Sequence, residues 1–246
     1  MNLSEINIRE KDFHNKLQSQ KRGRFENIFY KALYNISEDF FDYLKNNANN
    51  AEILDYGCGV GSFVEEVSKF GPKKIVGIDI SEVSINKAVE RTKELKANID
   101  FIVDNCEKTK FANNSFDVVY GSGILHHLQI NKCLDEIHRV LKPNGSLVFI
   151  EPLGTNPIIN FYRKLTPKSR SKDEHPLVFK DFEKIKLSFK SVNIKYYGFL
   201  TLAFFPFYSS KDSKIFKVLV KLDQLLFKIK IFRYFAWSVL ITAKKN

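Results

Sequence analysis

The segment 53–63 reads ILDYGCGVGSF and narrows the choice of folds sharply. A short apolar run reaches Asp55, and glycines then stand at the alternate positions Gly57, Gly59 and Gly61. Glycine has no Cβ, so it adopts positive φ angles and lets a ligand approach the main chain closely. The pattern predicts a buried strand, a tight turn and the start of a helix, which together suit a polar, nucleotide-like ligand.

Asp55 and the spacing of the glycines distinguish between classes of nucleotide ligand. Asp55 lies two residues before the first glycine, where a carboxylate would repel a pyrophosphate but suit a cationic amino-acid group. The dinucleotide fingerprint spaces its glycines as G-x-G-x-x-G, whereas this chain has G-x-G-x-G. Asp79 ends the next apolar run and is placed to accept hydrogen bonds from both hydroxyls of a ribose. Since that acidic residue occurs in both classes, Asp55 and the spacing carry the preference against a nicotinamide dinucleotide.

Strand and helix patterns alternate along the central part of the chain. Continuous apolar runs such as 146–150 are typical of parallel strands that are buried on both faces. Alternation of strands and helices predicts an α/β fold with a doubly wound parallel sheet. We predict strands near 51–56, 73–79, 99–103, 116–120 and 145–151, and helices near 25–44, 61–70, 82–96 and 130–141.

Four motifs in this order resemble the class I S-adenosylmethionine-dependent methyltransferases, in particular the type 11-like group that acts on small molecules and lipids. The motifs are LDYGCGVG (54–61), VGIDIS (76–81), NNSFDVVYGSGILHHL (113–128) and LKPNGSLVFIEP (141–152). The resemblance implies a Rossmann-like sheet, mostly parallel, with a C-terminal antiparallel hairpin formed here by 190–199 and 235–243. It also implies S-adenosyl-L-methionine as the cofactor and methyl transfer as the reaction.

The resemblance also predicts how the chain is divided. Residues 1–48 would form an N-terminal helical segment that closes over the cofactor. Residues 49–246 would form the cofactor-binding domain, with helical cap insertions at about 152–189 and 200–233.

Donor binding is expected at the glycine turn, at the end of the second strand and in the loop after the third strand. In that loop the family usually has Asp, a small residue and then Glu, whereas this chain reads Asp104-Asn105-Cys106-Glu107. The spacing to Phe111 puts Asn105 in the Asp position, where its carbonyl can still accept from an adenine amino group. Which of Asp104 and Asn105 points inward is left open. The predicted cofactor-binding residues are Asp55, Gly57, Cys58, Gly59, Gly61, Asp79, Ile80, Asp104, Asn105, Cys106, Gly121 and Ser122.

Methyl transfer from a sulfonium depends mainly on alignment, so neither a nucleophilic side chain nor a metal is predicted. A histidine could still remove a proton from a hydroxyl or acid acceptor, because its pKa lies near neutrality. Each acid–base candidate could instead serve structural hydrogen bonding. These catalytic candidates are His126, His127, Glu151 and His175, and Asn156, Tyr162 and Arg163 are candidates for the acceptor pocket.

Positive charge is concentrated in the C-terminal part of the chain. Residues 152–246 contain 19 Lys and Arg against 6 Asp and Glu, out of 39 against 28 in the whole chain. This asymmetry favours an anionic partner, which could be a membrane surface, a nucleic acid or an acidic substrate. A lysine-rich proteome would explain the total charge but not its uneven distribution.

Residues 212–232 have the pattern of a basic amphipathic helix. Such a helix can cover a domain core as a lid, or it can lie on an anionic bilayer. We predict Ile215, Leu219, Leu222, Leu226 and Ile229 on one face, Val218, Leu225 and Phe232 beside them, and Lys214, Lys217, Lys221 and Lys228 on the other face.

Several further patterns bound the function. No apolar run approaches the roughly 20 residues of a membrane-spanning helix, and no secretory signal is evident. Cys58, Cys106 and Cys133 have neither metal-type nor disulfide-type spacing. We expect a cytoplasmic enzyme that methylates oxygen or nitrogen of a small or lipid-like acceptor, with peripheral contact to an anionic membrane if the acceptor is a lipid. An RNA methyltransferase and a non-catalytic cofactor-binding scaffold are the alternatives, and the oligomeric state is not predicted.

Overall fold

The computed structural model describes residues 3–19, 33–166 and 171–246. Its strands lie side by side in one seven-stranded sheet, in the order β3-β2-β1-β4-β5-β7-β6. Strands β1 to β5 run parallel, and β7 is antiparallel to both β5 and β6. This confirms the mostly parallel Rossmann-like sheet with a C-terminal hairpin. The strands are β1 (Glu52–Tyr56), β2 (Lys74–Asp79), β3 (Ile99–Val103), β4 (Phe116–Ser122), β5 (Leu141–Pro152), β6 (Lys190–Tyr197) and β7 (Ser238–Lys244).

In the described ranges, nine α-helices accompany the sheet, and short 3-10 turns cover Leu125–His127, Phe205–Phe207 and Lys230–Phe235. None of these helices is long and apolar enough to cross a membrane. The helices are α1 (Glu5–Ser19), α2 (Tyr34–Asn47), α3 (Val64–Ser68), α4 (Glu82–Thr92), α5 (Ile130–Val140), α6 (Pro157–Leu165), α7 (Phe179–Ser188), α8 (Leu200–Ala203) and α9 (Lys214–Leu226).

The sheet is buried on both faces, as the continuous apolar runs predict. Ile53 and Leu54 are neighbours on β1 and both are 0% exposed. They belong to different apolar clusters, since successive side chains of a strand point to opposite faces. Leu54 packs with residues of α5 and α7, whereas Ile53 packs with residues of α2 and α3. The central strand is therefore shielded from water on both sides.

The boundaries of several helices and strands differ from the sequence patterns. The predicted helix 25–44 corresponds to α2, which runs to Asn47, and its residues 25–32 lie outside the described residues. Helix α3 is shorter than the predicted 61–70, because residues 60–63 continue the glycine turn. Strand β5 begins at Leu141 rather than at 145, where its first residue pairs with Phe116.

Both insertions leave the sheet at its carboxyl edge. Pro152 ends β5 and Tyr197 ends β6, and each of them pairs with Ser238 at the start of β7. The first insertion contains α6 and α7, and the second contains α8 and α9. The chain therefore places two helical segments beside the edge where ligands bind in open α/β sheets.

The apolar face predicted for α9 is only partly covered by the rest of the protein. Phe216 and Leu219 are buried against Leu200, Phe205 and Tyr208. The remaining apolar positions form an exposed line at helical spacing, here named the α9 stripe: Ile215, Val218, Leu222 and Leu225, which are 70%, 54%, 41% and 59% exposed. Ile215, Leu219 and Leu222 lie on one side of the helix, but the packing against α8 buries Leu219 and leaves Ile215 and Leu222 exposed.

Candidate active site

A cavity of about 140 Å³ lies at the carboxyl edge of the sheet, between the strand ends and α1. Eight of the sixteen predicted site residues line it, and four side chains of α1 complete the wall. The predicted residues in the lining are Gly57, Gly59, Asp79, Ile80, Asn105, Cys106, Ser122 and His127, and those from α1 are Asn7, Glu10, His14 and Gln18.

The glycine turn after β1 has the positive φ angles that its sequence predicts. The φ angles of Gly57, Gly59 and Gly61 are +76°, +52° and +69°. A Cβ on Gly57 would come within 2.5 Å of the Ile124 side chain, whereas a Cβ on Gly59 would have no atom within 4 Å. Gly57 is therefore required by packing, and Gly59 leaves its main chain open to the cavity.

Asp79 is fixed at the end of β2 by two backbone N–H groups. Gly59 donates to Oδ2 at 3.0 Å, and Ser81 donates to Oδ1 at 2.8 Å. Burial raises the pKa of Asp79, while these backbone donors and His14 and His127 act in the opposite direction. Each oxygen keeps acceptor capacity, because an ionised carboxylate offers about four acceptor sites.

Asp55 does not reach the cavity. It is 2% exposed, and its Oδ2 accepts a hydrogen bond of 2.9 Å from the Tyr120 hydroxyl. Burial raises its pKa to about 7, partly offset by the Tyr120 hydroxyl. The residue therefore supports the sheet beneath the turn. Three other predicted residues, Cys58, Gly61 and Gly121, also lie outside the cavity lining.

The loop after β3 separates the two residues that the sequence left open. Asp104 is 1% exposed, and its carboxylate accepts from the backbone N–H groups of Asn105 and Lys110. Asn105 lines the cavity and donates through Nδ2 to Asn7 Oδ1 at 3.3 Å. The Tyr56 hydroxyl donates to the Cys106 carbonyl and so ties the loop to β1. Asp104 therefore shapes the loop, and Asn105 faces the cavity.

Glu151 and His126 form a buried pair behind the cavity. Glu151 is 0% exposed, and its Oε1 accepts from the backbone N–H groups of Ile124 and Leu125 at 2.9 and 2.8 Å. Its Oε2 lies 2.7 Å from His126 Nδ1. Neither side chain lines the cavity. The pair holds the turn that presents His127, the next residue.

His127 lines the cavity and faces α1. Its Nδ1 is 3.1 Å from Glu10 Oε2, and His14 Nε2 is 3.6 Å from the same oxygen. Burial lowers the pKa of His127 and outweighs the Glu10 carboxylate, which raises it. The imidazole is therefore mainly neutral at pH 7.

The remaining candidates lie away from the cavity lining. His175 is exposed, and its backbone N–H donates to the His126 carbonyl at 2.8 Å. Asn156 is buried and caps α6 by accepting from the N–H groups of Ile158 and Ile159. Tyr162 is 46% exposed, and Arg163 donates to the Leu153 carbonyl at 3.1 Å.

Sequence reasoning predicted that the N-terminal segment closes over the cofactor, but it named none of the side chains that α1 brings to the cavity. Glu10 and His14 are one helical turn apart, and this spacing is the signal that could have found them.

Comparisons with known proteins relate the central part of the chain to methyltransferases. Residues 54–149 match the family described as a methyltransferase domain. Phosphoethanolamine N-methyltransferase 3 of Arabidopsis thaliana is 28% identical over 147 residues, which are 56% of this chain and 30% of that protein. A demethylmenaquinone methyltransferase of Lactococcus lactis is 38% identical over 116 residues, which are 46% of this chain and 45% of that protein. The chain thus spans less than half the length of these curated relatives.

Solved structures agree on the fold. Phosphoethanolamine N-methyltransferase 2 of Haemonchus contortus, in complex with S-adenosyl-L-methionine, superposes with a TM-score of 0.68 at 18% identity, covering 100% of this chain and 61% of that chain. Geranyl diphosphate C-methyltransferase of Streptomyces coelicolor, in complex with Mg²⁺, geranyl diphosphate and S-adenosyl-L-homocysteine, has a TM-score of 0.69 at 13% identity, with 100% of both chains covered. Residues 54–149 therefore match a methyltransferase domain, and the whole chain shares the fold of these solved methyltransferases.

Proposed function

We propose that this chain transfers a methyl group from S-adenosyl-L-methionine to an oxygen or nitrogen of a small or lipid-like acceptor. The observation that carries the proposal is Asp79, a carboxylate in the cavity wall whose two oxygens are each oriented by a backbone N–H. A pair of ribose hydroxyls is a fitting partner for the acceptor capacity that remains.

The cavity residues fit this donor in two further respects. The open space over Gly59 lets a ligand lie against the main chain. Asn105 offers an amide, which can both donate to and accept from an adenine edge. We assign the ribose to Asp79, the base to Asn105 and Ile80, and the amino-acid part to the Gly57 turn and Ser122.

When bound, this donor supplies a methyl group that its own sulfonium activates, so the protein contributes chiefly alignment. For an acceptor that must lose a proton, we assign His127 as the proton acceptor, because it lines the cavity and its lowered pKa keeps it neutral near pH 7. The Glu10 carboxylate lies 3.1 Å from Nδ1, so we assign proton acceptance to Nε2, the other ring nitrogen.

Exposed apolar side chains on the two insertions favour a lipid-like acceptor. Ile158, Phe161 and Leu165 of α6 recur at helical spacing and are 69%, 64% and 65% exposed. The α9 stripe belongs to the insertion that leaves the same sheet edge. Exposed apolar patches of this kind mark contacts with other molecules. The relatives named above act, by their names, on phosphoethanolamine and demethylmenaquinone, and others on sterols.

The charge beside the α9 stripe favours an anionic membrane as the place where that acceptor is met. At 100° per residue, Lys214, Lys217 and Lys221 fall on the edge of α9 that borders the stripe, and all three are exposed. Lysine side chains can extend from an apolar surface to reach anionic headgroups. We therefore propose peripheral membrane contact through α9.

Incubation with donor labelled in the methyl group tests the proposal. The protein is mixed with a lipid extract and, separately, with the water-soluble fraction of the same cells. We expect label in a lipid or a small amphiphile, and little label when Asp79→Ala replaces the wild type. Label found in RNA, or no labelled product with any fraction although the donor binds, would contradict the proposed reaction.

A further inference from the structure

Three side chains in the cavity wall form a cluster that the donor site does not require. Glu10 and His14 lie one helical turn apart on α1, and His127 comes from the turn after β4. One potential ligand atom from each residue lies within 4.8 Å of the other two. His127 Nδ1 and His14 Nε2 are 3.1 and 3.6 Å from Glu10 Oε2. Ligand atoms of a tetrahedral zinc site, each about 2.0–2.1 Å from the metal, are about 3.3 Å apart. The measured separations lie on either side of that value.

The Glu10 carboxylate gives an independent indication of a missing cation. Glu10 is 4% exposed, and neither of its side-chain oxygens has a hydrogen-bond partner of good geometry within the described part of the chain. A buried carboxylate is unfavourable unless it is paired with a positive charge or coordinates a metal. The imidazoles of His14 and His127 are close enough to the Glu10 carboxylate to bind one metal ion together with it. They are not aligned as hydrogen-bond donors to that carboxylate.

We propose that Glu10, His14 and His127 bind a divalent transition-metal ion of the zinc type. Two histidines and one glutamate are a known donor set for zinc sites that keep a further coordination position open. All three residues line the cavity, so the open position faces it. The ion would connect α1 to the turn after β4 and hold the helix over the cavity.

The metal has one consequence that rests on the proposed function. An ion on His127 Nδ1 leaves the proton on Nε2, so the imidazole can no longer accept a proton there. Metal binding and proton acceptance by His127 therefore exclude each other, and methyl transfer to a protonated acceptor should be slower in the metal-loaded protein.

Titration of the metal-stripped protein with Co²⁺ and Zn²⁺ tests the site. We expect one ion per chain by calorimetry, and with Co²⁺ the visible absorption of a low-coordinate N and O site. His14→Gln and Glu10→Gln should each weaken binding by at least about tenfold, since one of three protein ligands is lost. Because the His14 side chain is 27% exposed, His14→Gln decides the test even if Glu10→Gln folds poorly.

Two control variants make the result specific. His138→Gln changes a histidine outside the cluster and should leave metal affinity unchanged. Glu174→Gln should also leave it unchanged, although His126, His127 and Glu174 form a neighbouring group that shares His127. Equal affinity in all variants, no binding by the wild type, or loss only in Glu174→Gln would overturn the proposal. Affinity for S-adenosyl-L-homocysteine, measured in parallel on the stripped protein, shows separately whether the donor site itself has failed.

Discussion

A single carboxylate, Asp79, links the glycine turn to the start of α4. Its two oxygens accept from Gly59 and Ser81, so the side chain both closes the turn and faces the cavity. A substitution at this position therefore changes the shape of the site as well as its charge. Two different replacements are needed to separate these effects.

Asp79→Ala should weaken binding of S-adenosyl-L-homocysteine strongly, since each charged hydrogen bond contributes about 1.5–3 kcal/mol. Asp79→Asn keeps one acceptor oxygen and the size of the side chain, so its loss should be smaller. Calorimetry compares both variants with Asp100→Ala, which removes an exposed carboxylate from the neighbouring strand β3. Unchanged affinity in Asp79→Ala would remove this residue from the donor site.

Asn105 and Asp104 should give opposite phenotypes although they are neighbours. Asn105 lines the cavity and its Oδ1 accepts from the Glu107 N–H at 2.9 Å, so Asn105→Ala should weaken S-adenosyl-L-homocysteine binding and should lower the melting temperature less than Asp104→Ala does. The Asp104 carboxylate holds two backbone N–H groups of the loop, so Asp104→Ala should chiefly lower the melting temperature. Calorimetry and thermal melts on both variants make the comparison. A larger loss of affinity in Asp104→Ala would mean that Asp104, rather than Asn105, contacts the donor.

Asp55 should make stability depend on pH in an unusual direction. Its pKa is about 7 in the folded protein, whereas an unfolded Asp titrates near 3.8. Between these values the folded state binds the extra proton, so this residue's contribution to the free energy of unfolding falls as pH rises. Asp55→Asn removes that dependence and keeps an acceptor for Tyr120. As the pH rises from about 4 to about 7, the free energy of unfolding of the variant should increase relative to that of the wild type by up to about 4 kcal/mol. Urea unfolding of the ligand-free protein measures this difference. A constant difference across this range would show that Asp55 is ionised when folded.

At the scale of elements, α1 contributes four side chains to the cavity but is attached mainly by polar contacts. Lys11 Nζ lies 2.7 Å from Glu82 Oε1, and Ser81 donates to Asn15 Oδ1 at 2.6 Å. The Arg9 guanidinium lies 2.8 Å from the Asp173 carboxylate. Exposed ion pairs stabilise by only about 0–1 kcal/mol each. The helix is therefore the element whose docking a bound ligand can change most.

Hydrogen exchange should detect this coupling. We expect S-adenosyl-L-homocysteine to slow amide exchange in residues 5–19 more than in α5, none of whose residues lines the cavity. The physical reason is that ligand contacts with Asn7 and Gln18 add to a marginal interface. Exchange in α1 that is the same with and without the ligand would show that the helix does not close over the donor. Lys11→Ala, which removes the contact with Glu82, should raise exchange in the ligand-free state.

The sequence predicts the sheet well because buried parallel strands and the glycine turn have strong local patterns. The positions of the parallel strands and the positive φ angles of Gly57, Gly59 and Gly61 follow from these patterns. The hairpin was implied by the family resemblance, and the order of the individual strands was not predicted. The cavity residues that come from the ends of the strands were also predicted from the sequence motifs. Glu10 and His14 were not singled out, because α1 contacts the rest of the protein mainly through polar side chains. Its sequence therefore has no apolar periodicity that would show which face is buried. The burial of Asp55 was also invisible, because a carboxylate that faces a ligand and one that accepts from Tyr120 look the same in sequence.

At the scale of the whole molecule, the sheet topology brings the insertions and the cavity to one edge. Pro152 and Tyr197 both meet Ser238 there, so the two insertions begin at the sheet edge that carries the cavity. The exposed apolar positions of α6 and α9 both lie in these insertions.

Sedimentation with lipid vesicles tests that geometry. We expect the protein to bind vesicles containing anionic lipid and to be released as salt rises, since each lysine near a charged surface contributes about 1 kcal/mol and is screened over about 10 Å at 0.1 M salt. The double variant Ile215→Ser and Leu222→Ser, on the α9 stripe, should bind less at every salt concentration. Both side chains are exposed, so the substitutions should leave the fold intact. Leu187→Ser is the matched control, because Leu187 is 87% exposed but lies on α7, outside the stripe. If the wild type stays in the supernatant with anionic and neutral vesicles alike, the stripe does not contact membranes.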